Sequence, residues 1–353
     1  MKALRSHAVG GPETLTLDEV ESPVPGPGQV RVRVKACSIN FPDVLIIQDL
    51  YQFKPARPFA PGGEASGVVD AVGEGVTQWK VGDRVIASTG NGALAEEIVV
   101  DAARLWALPD YASFETGASL LMTYGTNMHG LLDRGRLKAG DTLLVLGAAG
   151  GIGLSAVELG KAYGARVVAA VSSEEKAEAA REAGADEVVI YPRAPFDKDQ
   201  SKALAEAFKA ACGPNGADVI YDVVGGDYSE PALRSIAWEG RFCVVGFPAG
   251  IAKLPLNLTL LKSCDVCGVF WGAWVAREPA ANAAHIAKLF ELLKDGKIKP
   301  KISATFPLAR GGEAITMLAE RKASSLTVEL TVSDNGVGMD AATLSQLFVP
   351  FAQ

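Results

Sequence analysis

The feature that most constrains the fold is the glycine-rich stretch GAAGGIG at residues 147–153. It follows the continuous apolar run TLLVL and precedes IGLSAVELGKAYG, in which apolar residues recur at helical spacing. A buried strand that passes through a glycine turn into a helix is typical of the first β-α unit of a doubly wound sheet. The alternative is a plain tight turn that holds no ligand.

The sequence that follows repeats the same alternation of strand and helix. Apolar runs alternate with helical stretches, and the runs are ARVVAAV, DEVVIY, ADVIYDVVG, GRFCVVG and, last, VCGVFWG at residues 266–272. Strands that are buried on both faces and alternate with helices indicate a parallel sheet with helices on both sides. We therefore predict a doubly wound, dinucleotide-binding domain over residues 126–294.

The first third of the chain has a different pattern. Short runs such as QVRVRVKA at 29–36 alternate apolar and polar residues and are bounded by Gly, Pro or Asp, which indicates a β unit of barrel or sandwich type. Similar text returns in KIKPKISATFPL. We predict that residues 1–125 and 295–330 form one β domain and that residues 331–353 are an appended tail.

Bulk properties exclude several classes of protein. The chain has 353 residues, more than one hydrophobic core usually serves, and a net charge of −7 with no basic stripe, which argues against nucleic acid as a partner. No apolar run approaches the roughly 18 residues of a membrane span. Five scattered cysteines, an odd number, suggest reduced thiols and a cytoplasmic protein.

The glycine stretch fits the pattern A-x-G-x-x-G, with Ala148 in the first position. Gly150 would let the backbone approach a pyrophosphate, and Gly153 would let helix and strand pack closely. The amides at the helix N-terminus would meet the phosphates. The predicted phosphate loop comprises Gly147, Gly150, Gly151, Ile152 and Gly153.

The end of the second strand predicts which cofactor is bound. An NAD site usually has Asp or Glu there, whereas this chain has Ser172 and Ser173, followed by Lys176. Two hydroxyls and a cation suit the 2′-phosphate of NADPH. Glu174 and Glu175 lie past the strand end, where acids complement the dipole of a helix N-terminus.

From residue 1 to about 321, the chain resembles the medium-chain dehydrogenase/reductase superfamily and, within it, the zinc-free quinone oxidoreductases. The resemblance is carried by NFPDVLIIQDLY, PFAPGGEASGVV, VGDRV, GAAGGIG, SSEEKAEAAREAGADEVVIY and GRFCVVGF, in the family's order. It implies an α/β protein with a GroES-like β domain, a Rossmann doubly wound parallel sheet, and a cofactor held in the cleft between them.

The resemblance also predicts that no metal is bound. Zinc-dependent relatives carry Gly-His-Glu where this chain has Gly62, Gly63 and Glu64, and Gly63 has no side chain to ligate. Cys37 stands where a first zinc ligand occurs, but without its histidine partner. Cys264 and Cys267 lack a second Cys or His pair beside them in the sequence.

Family membership would place Asn40, Asp43 and Tyr51 along the cleft. Asn40 would orient the nicotinamide or a substrate oxygen, and Tyr51 would hydrogen-bond the acceptor. The alternatives are a turn-capping Asn, a loop acid and a half-buried aromatic. Further cofactor contacts implied by the resemblance are Thr126, Tyr191, Gly246, Phe247 and Arg321.

The implied activity is hydride transfer from NADPH to a quinone, with an enoyl or 2-alkenal reductase as the alternative. Without zinc, an acceptor that spreads charge by conjugation is favoured over an alcohol. A non-catalytic, cofactor-binding role is the alternative of another class. The apolar run at 266–272 would lie at a sheet edge and pair two chains into a homodimer.

The tail raises a separate question. SDNGVGM, at 333–339, and the later LFVPFAQ resemble one piece of the ATP-binding domain of sensor histidine kinases. The rest of that domain has no counterpart, and a piece this short cannot bury a core. We expect no ATP site there, and we expect residues 326–332 to contribute a strand to the β domain.

Overall fold

The computed structural model describes residues 1–320 and 326–329. The first part contains β1 (Lys2–Ser6), β2 (Leu15–Glu19), β3 (Gln29–Ile39), α1 (Phe41–Ile46), β4 (Glu64–Val72), β5 (Arg84–Ser88), β6 (Glu97–Asp101), β7 (Leu105–Ala107) and α2 (Phe114–Ala118). Strands β1 and β2 form a separate ribbon, and the long strand β3 pairs antiparallel with both β4 and β6. This part is the predicted β unit.

The middle of the chain begins with two π-helical segments, Leu121–Gly125 and Met128–Arg134. It continues as β8 (Thr142–Leu146), α3 (Gly151–Ala162), β9 (Arg166–Val171), α4 (Glu174–Glu182), β10 (Glu187–Ile190), α5 (Lys198–Cys212), β11 (Ala217–Asp222), α6 (Ser229–Leu233), β12 (Ile236–Val244), α7 (Asn257–Lys262), β13 (Asp265–Gly268), α8 (Trp271–Arg277) and α9 (Pro279–Lys294). The six strands are parallel in the order β10-β9-β8-β11-β12-β13. This is the dinucleotide-binding order, so the predicted Rossmann sheet is confirmed.

The chain then returns to the first sheet. It forms β14 (Ala304–Pro307), α10 (Gly311–Ala319) and β15 (Leu326–Glu329), and β15 pairs with both β14 and β3. β14 and β15 therefore lie in the sheet of the first part, in the stretch where the return was expected. The exact domain boundaries stay a prediction, and the tail 331–353 lies outside the described residues.

The strand predicted at 266–272 is shorter than expected. It ends at Gly268, and Trp271 already begins α8. The ladder between β12 and β13 runs only from Arg241↔Asp265 to Val244↔Gly268. One further backbone bond, from Val269 N–H to Val244 O, follows this ladder before α8 begins. The helix therefore takes up the last residues of the expected strand.

Burial explains why the central strands are continuous apolar runs. All of residues 143–146 are 0 % exposed, because helices cover both faces of β8. Leu143 and Val145 pack toward α3 and α9, while Leu144 and Leu146 pack toward Phe208 of α5. Within the part of the chain that the structure describes, every helix is too short or too polar to cross a bilayer.

Candidate active site

The phosphate loop has the geometry that its glycines predict. Gly147 has a φ of +69°, which a residue with a side chain rarely adopts. A Cβ on Gly153 would lie 2.2 Å from the carbonyl oxygen of Gly147, so α3 approaches β8 as closely as backbone allows. Gly150 caps α3, is exposed, and has no neighbour closer than 3.5 Å to an added Cβ. The helix N-terminus is therefore open to a phosphate.

Several predicted cofactor residues lie at one end of the sheet, where the parallel strands have their carboxyl ends. The backbone N–H of Ala148 bonds Ala170 of β9, and that of Tyr191 bonds Val171. On the other side, Gly147 packs on Val224, which an added Cβ would approach to 2.8 Å. Ligands of such sheets bind in the crevice between the strands where the order reverses, here β8 and β11.

The two serines after β9 differ in their surroundings. Ser173 Oγ accepts the backbone N–H of Lys176 at 3.3 Å and so caps α4. Ser172 is exposed, and its Oγ accepts a hydrogen bond from Lys176 Nζ at 3.1 Å. The nearby carboxylate of Glu174 is paired with Arg181 at 2.9 Å. Ser172 and Lys176 therefore present a hydroxyl and a cation together, and Ser173 holds their backbone.

The remaining predicted cofactor residues differ in how deeply they are buried. Tyr191 is buried and packs on Tyr228 with ring centroids 4.7 Å apart, whereas Phe247 is 53 % exposed. Gly246, between them in depth, donates its N–H to Asp222 O at 3.3 Å. Thr126 is half-buried between the two π-helical segments. Arg321 lies outside the described residues.

Asn40, at the start of α1, is held by a buried hydrogen-bond network. Its Nδ2 donates to Ser38 Oγ at 2.8 Å, and Ser38 Oγ donates to Glu64 Oε1, also at 2.8 Å. Asn40 Nδ2 is 3.5 Å from the same Oε1. The amide is therefore fixed in orientation, as a group that positions a ligand needs to be.

Asp43 is buried and turned toward backbone. Its Oδ2 accepts the N–H of Asn40 and its Oδ1 accepts the N–H of Gly62, both at 2.8 Å. Burial raises the pKa of this carboxyl to about 6, although both hydrogen bonds oppose the rise. Asp43 therefore ties α1 to the loop before β4. Tyr51 is half-buried, and its pKa is raised by burial and then by the charge of Asp43.

Glu64 was missed by the sequence-based site prediction. It is 1 % exposed, and its Oε2 accepts the backbone N–H of Met122 at 2.8 Å, in the first π-helical segment. The same stretch of chain reaches α3 through Asn127, whose Nδ2 donates to Ile152 O and Ser155 Oγ. Residues 122–127 thus connect the Asn40 network to the phosphate loop. In the sequence, Glu64 is only an acid that follows two glycines. Its role can be seen only when its hydrogen-bond partners are known.

The donor atoms around Gly63 do not suit zinc. A Cβ at Gly63 would lie 2.7 Å from Met122 Cε, and the oxygens of Glu64 are already bonded to Ser38 and Met122. Burial holds the pKa of Cys37 well above its ordinary value, which disfavours the thiolate that zinc binds. Across residues 1–320 and 326–329, no group of three or more His, Cys, Asp or Glu side chains could hold a metal ion.

The burial of Glu64 predicts a pH dependence of stability. Burial raises its pKa from 4.5 to about 7, so between these values the folded chain holds a proton that the unfolded chain releases. Stability therefore falls as pH rises through this window, by about 3 kcal/mol for this group. Glu64→Gln has no proton to lose, so we expect the wild type to lose about 2.5 kcal/mol more than the variant between pH 5 and 8.

Urea denaturation at several pH values measures this difference. The exposed Glu187→Gln, on β10, is the matched control and should follow the wild type. Asp43 is present in all three proteins, so its contribution cancels. Parallel pH profiles for the wild type and Glu64→Gln would contradict the assignment.

Two family models match the chain, one on each side of this site. Residues 26–110 match the family described as "Alcohol dehydrogenase GroES-like domain", and residues 151–288 match "Zinc-binding dehydrogenase". The first range contains Ser38, Asn40 and Glu64, and the second begins at Gly151, within the phosphate loop. They agree with the two sheets of the structure.

Individual relatives extend the match to most of the chain. "Quinone oxidoreductase-like protein 2 homolog" of Nematostella vectensis is 40 % identical over 307 residues, covering 86 % of this chain and 82 % of that protein. "Quinone oxidoreductase-like protein 2" of Rattus norvegicus is 37 % identical and covers 88 % and 87 %. The Escherichia coli quinone oxidoreductase complexed with NADPH superposes with a TM-score of 0.83 at 30 % identity, covering 93 % of this chain and all of that one. This chain therefore belongs to the quinone oxidoreductase-like family of the medium-chain dehydrogenase/reductase superfamily.

Proposed function

We propose that this chain is an NADPH-dependent reductase that passes a hydride to a quinone in the cleft between its two sheets, without zinc. The observation that carries the proposal is the continuous connection from the Asn40 network through residues 122–127 to an open phosphate loop. The relatives named quinone oxidoreductases support the reaction class, and the NADPH complex of one of them supports the cofactor.

The residues present fit the cofactor. The open N-terminus of α3 would receive the pyrophosphate over Gly150, Gly151 and Ile152, while Gly147 and Gly153 shape the turn. Ser172 and Lys176 would receive the 2′-phosphate, since their polar atoms already converge at 3.1 Å. Tyr191, Gly246, Phe247, Thr126 and Arg321 stay proposed contacts, and Ser173 acts through the helix cap.

When bound, the cofactor supplies the hydride, and the protein contributes position and polarity. Hydrogen bonds to Ser38, and through it to Glu64, hold the side-chain amide of Asn40 in place. This fixed dipole would orient the nicotinamide or an acceptor oxygen. Tyr51, half-buried, would donate a hydrogen bond from its phenolic O–H to an acceptor oxygen. Asp43 accepts a hydrogen bond from the backbone N–H of Asn40, so it would position Asn40 rather than contact the substrate.

We also propose the finer points that follow from the residues. Gly63 has no side chain to ligate a metal, and Met122 occupies the space beside it, which supports zinc-free chemistry, although one matching family is described as zinc-binding. Five free thiols support a reducing compartment such as the cytoplasm. The acidic net charge supports a small-molecule substrate over nucleic acid.

A homodimer through the edge strand β13 completes the proposal. β13 ends the sheet and has one open side. Val266 on this strand is 41 % exposed, and Phe270 just after it is 58 % exposed. The preceding helix α7 adds Leu260 and Leu261, at 80 % and 63 %. An open edge beside exposed apolar side chains favours pairing with a second copy.

An oxidation assay with NADPH tests the reaction and the role of metal together. We expect turnover with quinones and less with 2-alkenals and enoyl thioesters, and we expect rates to be unchanged after dialysis against a chelator. Higher kcat/KM with alkenals or enoyl thioesters would assign the alternative reductase activity. Turnover with none of them would favour a cofactor-binding protein, and zinc lost together with activity would refute the zinc-free mechanism.

Cofactor preference tests the site after β9. We expect kcat/KM with NADPH to exceed that with NADH at least tenfold, because a charge-assisted hydrogen bond contributes about 1.5–3 kcal/mol. Lys176→Glu places a like charge beside the phosphate and should remove most of this preference. Lys209→Glu, at the far end of α5, is the matched control and should keep it. A wild type that prefers NADH would show the assignment to be wrong.

Sedimentation analysis tests the dimer. A charge at Val269 is a poor probe because that side chain packs against the core, so the exposed Val266 is the better choice. Val266→Lys should shift the protein from dimer to monomer at micromolar concentration. Val81→Lys, at a site 65 % exposed in the turn between β4 and β5, should leave the dimer intact. A monomeric wild type would rule the interface out.

A further inference from the structure

Two cysteines face each other on neighbouring strands, away from the proposed active site. Cys243 of β12 and Cys267 of β13 are register partners, and their sulfurs lie 3.6 Å apart. Neighbouring strands are about 4.8 Å apart, which falls within the Cα separation of about 4.4–6.8 Å that a disulfide requires. The sulfurs can therefore approach to bonding distance by side-chain rotation.

The pair differs chemically from the other three cysteines. Burial raises the pKa of Cys37, of Cys264 and, to about 11, of Cys212, so these thiols stay protonated. Cys267 has a lowered pKa, first because Cys243 donates a hydrogen bond to its sulfur, and then because of the charges of Arg134 and Arg241. The same bond raises the pKa of Cys243. One member is thus poised as a thiolate and the other as a thiol.

The position of the two sulfurs gives them different access. Cys243 is 0 % exposed, on the second strand from the edge, and Cys267 is 8 % exposed, on the edge strand itself. Arg241 is held near the pair by its salt bridge to Asp265 at 2.9 Å. The Cys267 side chain projects from the face of the sheet, toward Arg134 O, rather than along the hydrogen-bonding edge that the proposed dimer would pair. A small oxidant that enters at this face would therefore meet Cys267 first, with Cys243 directly behind it.

We propose that Cys243 and Cys267 form a reversible redox site that a hydroperoxide oxidises to a disulfide. The Cys267 thiolate attacks the terminal oxygen of the peroxide and breaks the O–O bond, which gives a sulfenic acid and releases an alkoxide, or hydroxide where the oxidant is hydrogen peroxide. The Cys243 thiol then attacks the sulfenic sulfur, forming the S–S bond and releasing water. The two thiols lose two electrons and the peroxide gains two, and a dithiol reverses the change.

The disulfide would alter the sheet edge. Cys243 Sγ lies 3.8 Å from Gly130 O and Cys267 Sγ lies 3.6 Å from Arg134 O, both in the second π-helical segment. The disulfide would draw both sulfurs toward each other and tie β13 covalently to β12. Because a cross-link reduces the freedom of the unfolded chain, oxidation should raise Tm by a few degrees.

Mass spectrometry after mild treatment with hydrogen peroxide tests the site. We expect the wild type to change from five alkylatable thiols to three, with one disulfide-linked peptide pair containing Cys243 and Cys267, reversed by dithiothreitol. Cys243→Ser should accumulate a sulfenic acid on Cys267 that dimedone labels, and Cys267→Ser should form neither product. Cys212→Ser, a matched buried thiol, should still form the disulfide.

Two results would overturn the proposal. One is a wild type that keeps all five thiols under peroxide that oxidises an exposed model thiol. The other is first oxidation at Cys37, Cys212 or Cys264. Peptide mapping of the wild type decides between these outcomes even if a serine variant does not fold.

Discussion

The arrangement of the two halves depends on one carboxylate that is almost wholly removed from water. Glu64 accepts from Ser38 and Asn40 on one oxygen and from the backbone of Met122 on the other. Such a group is tolerated inside a protein only when its hydrogen bonds are made, and losing one partner costs about 1–3 kcal/mol. The requirement to satisfy this acid therefore fixes Asn40 and the start of the connecting segment together.

Close approach of backbone is the second constraint, and in the proposed cofactor site the same atoms would serve folding and ligand binding. The missing side chain at Gly153 lets α3 rest on the turn after β8, and the missing side chain at Gly150 leaves the helix N-terminus open. Asn127 then bonds Ile152 O and Ser155 Oγ, so the connecting segment is anchored on the same helix. Hydrogen bonds that hold the parts of a site in place before a ligand arrives reduce the entropy lost on binding.

The place where zinc-dependent relatives carry a ligand has a different use in this chain. Met122 occupies the space beside Gly63, and each carboxylate oxygen of Asp43 accepts a hydrogen bond from a backbone N–H. Both carboxyls have raised pKa values because they are buried, so part of the stability of the fold is lost in keeping them ionised at neutral pH. Buried acids with raised pKa values beside a proposed active site are consistent with a network that positions other groups.

The sequence alone determined the doubly wound sheet, the return to the first sheet, the phosphate turn and the hydroxyl–lysine pair after β9, because each is a local pattern of period, turn and strand end. It did not separate a helix cap at Ser173 from a cofactor contact, although the cap spans only three residues, and it did not place the end of β13 at Gly268. The links from Glu64 to Met122 and from Cys243 to Cys267 join residues 58 and 24 positions apart. Only the tertiary structure decided them, because a hydrogen bond between distant residues leaves no periodic trace in the chain.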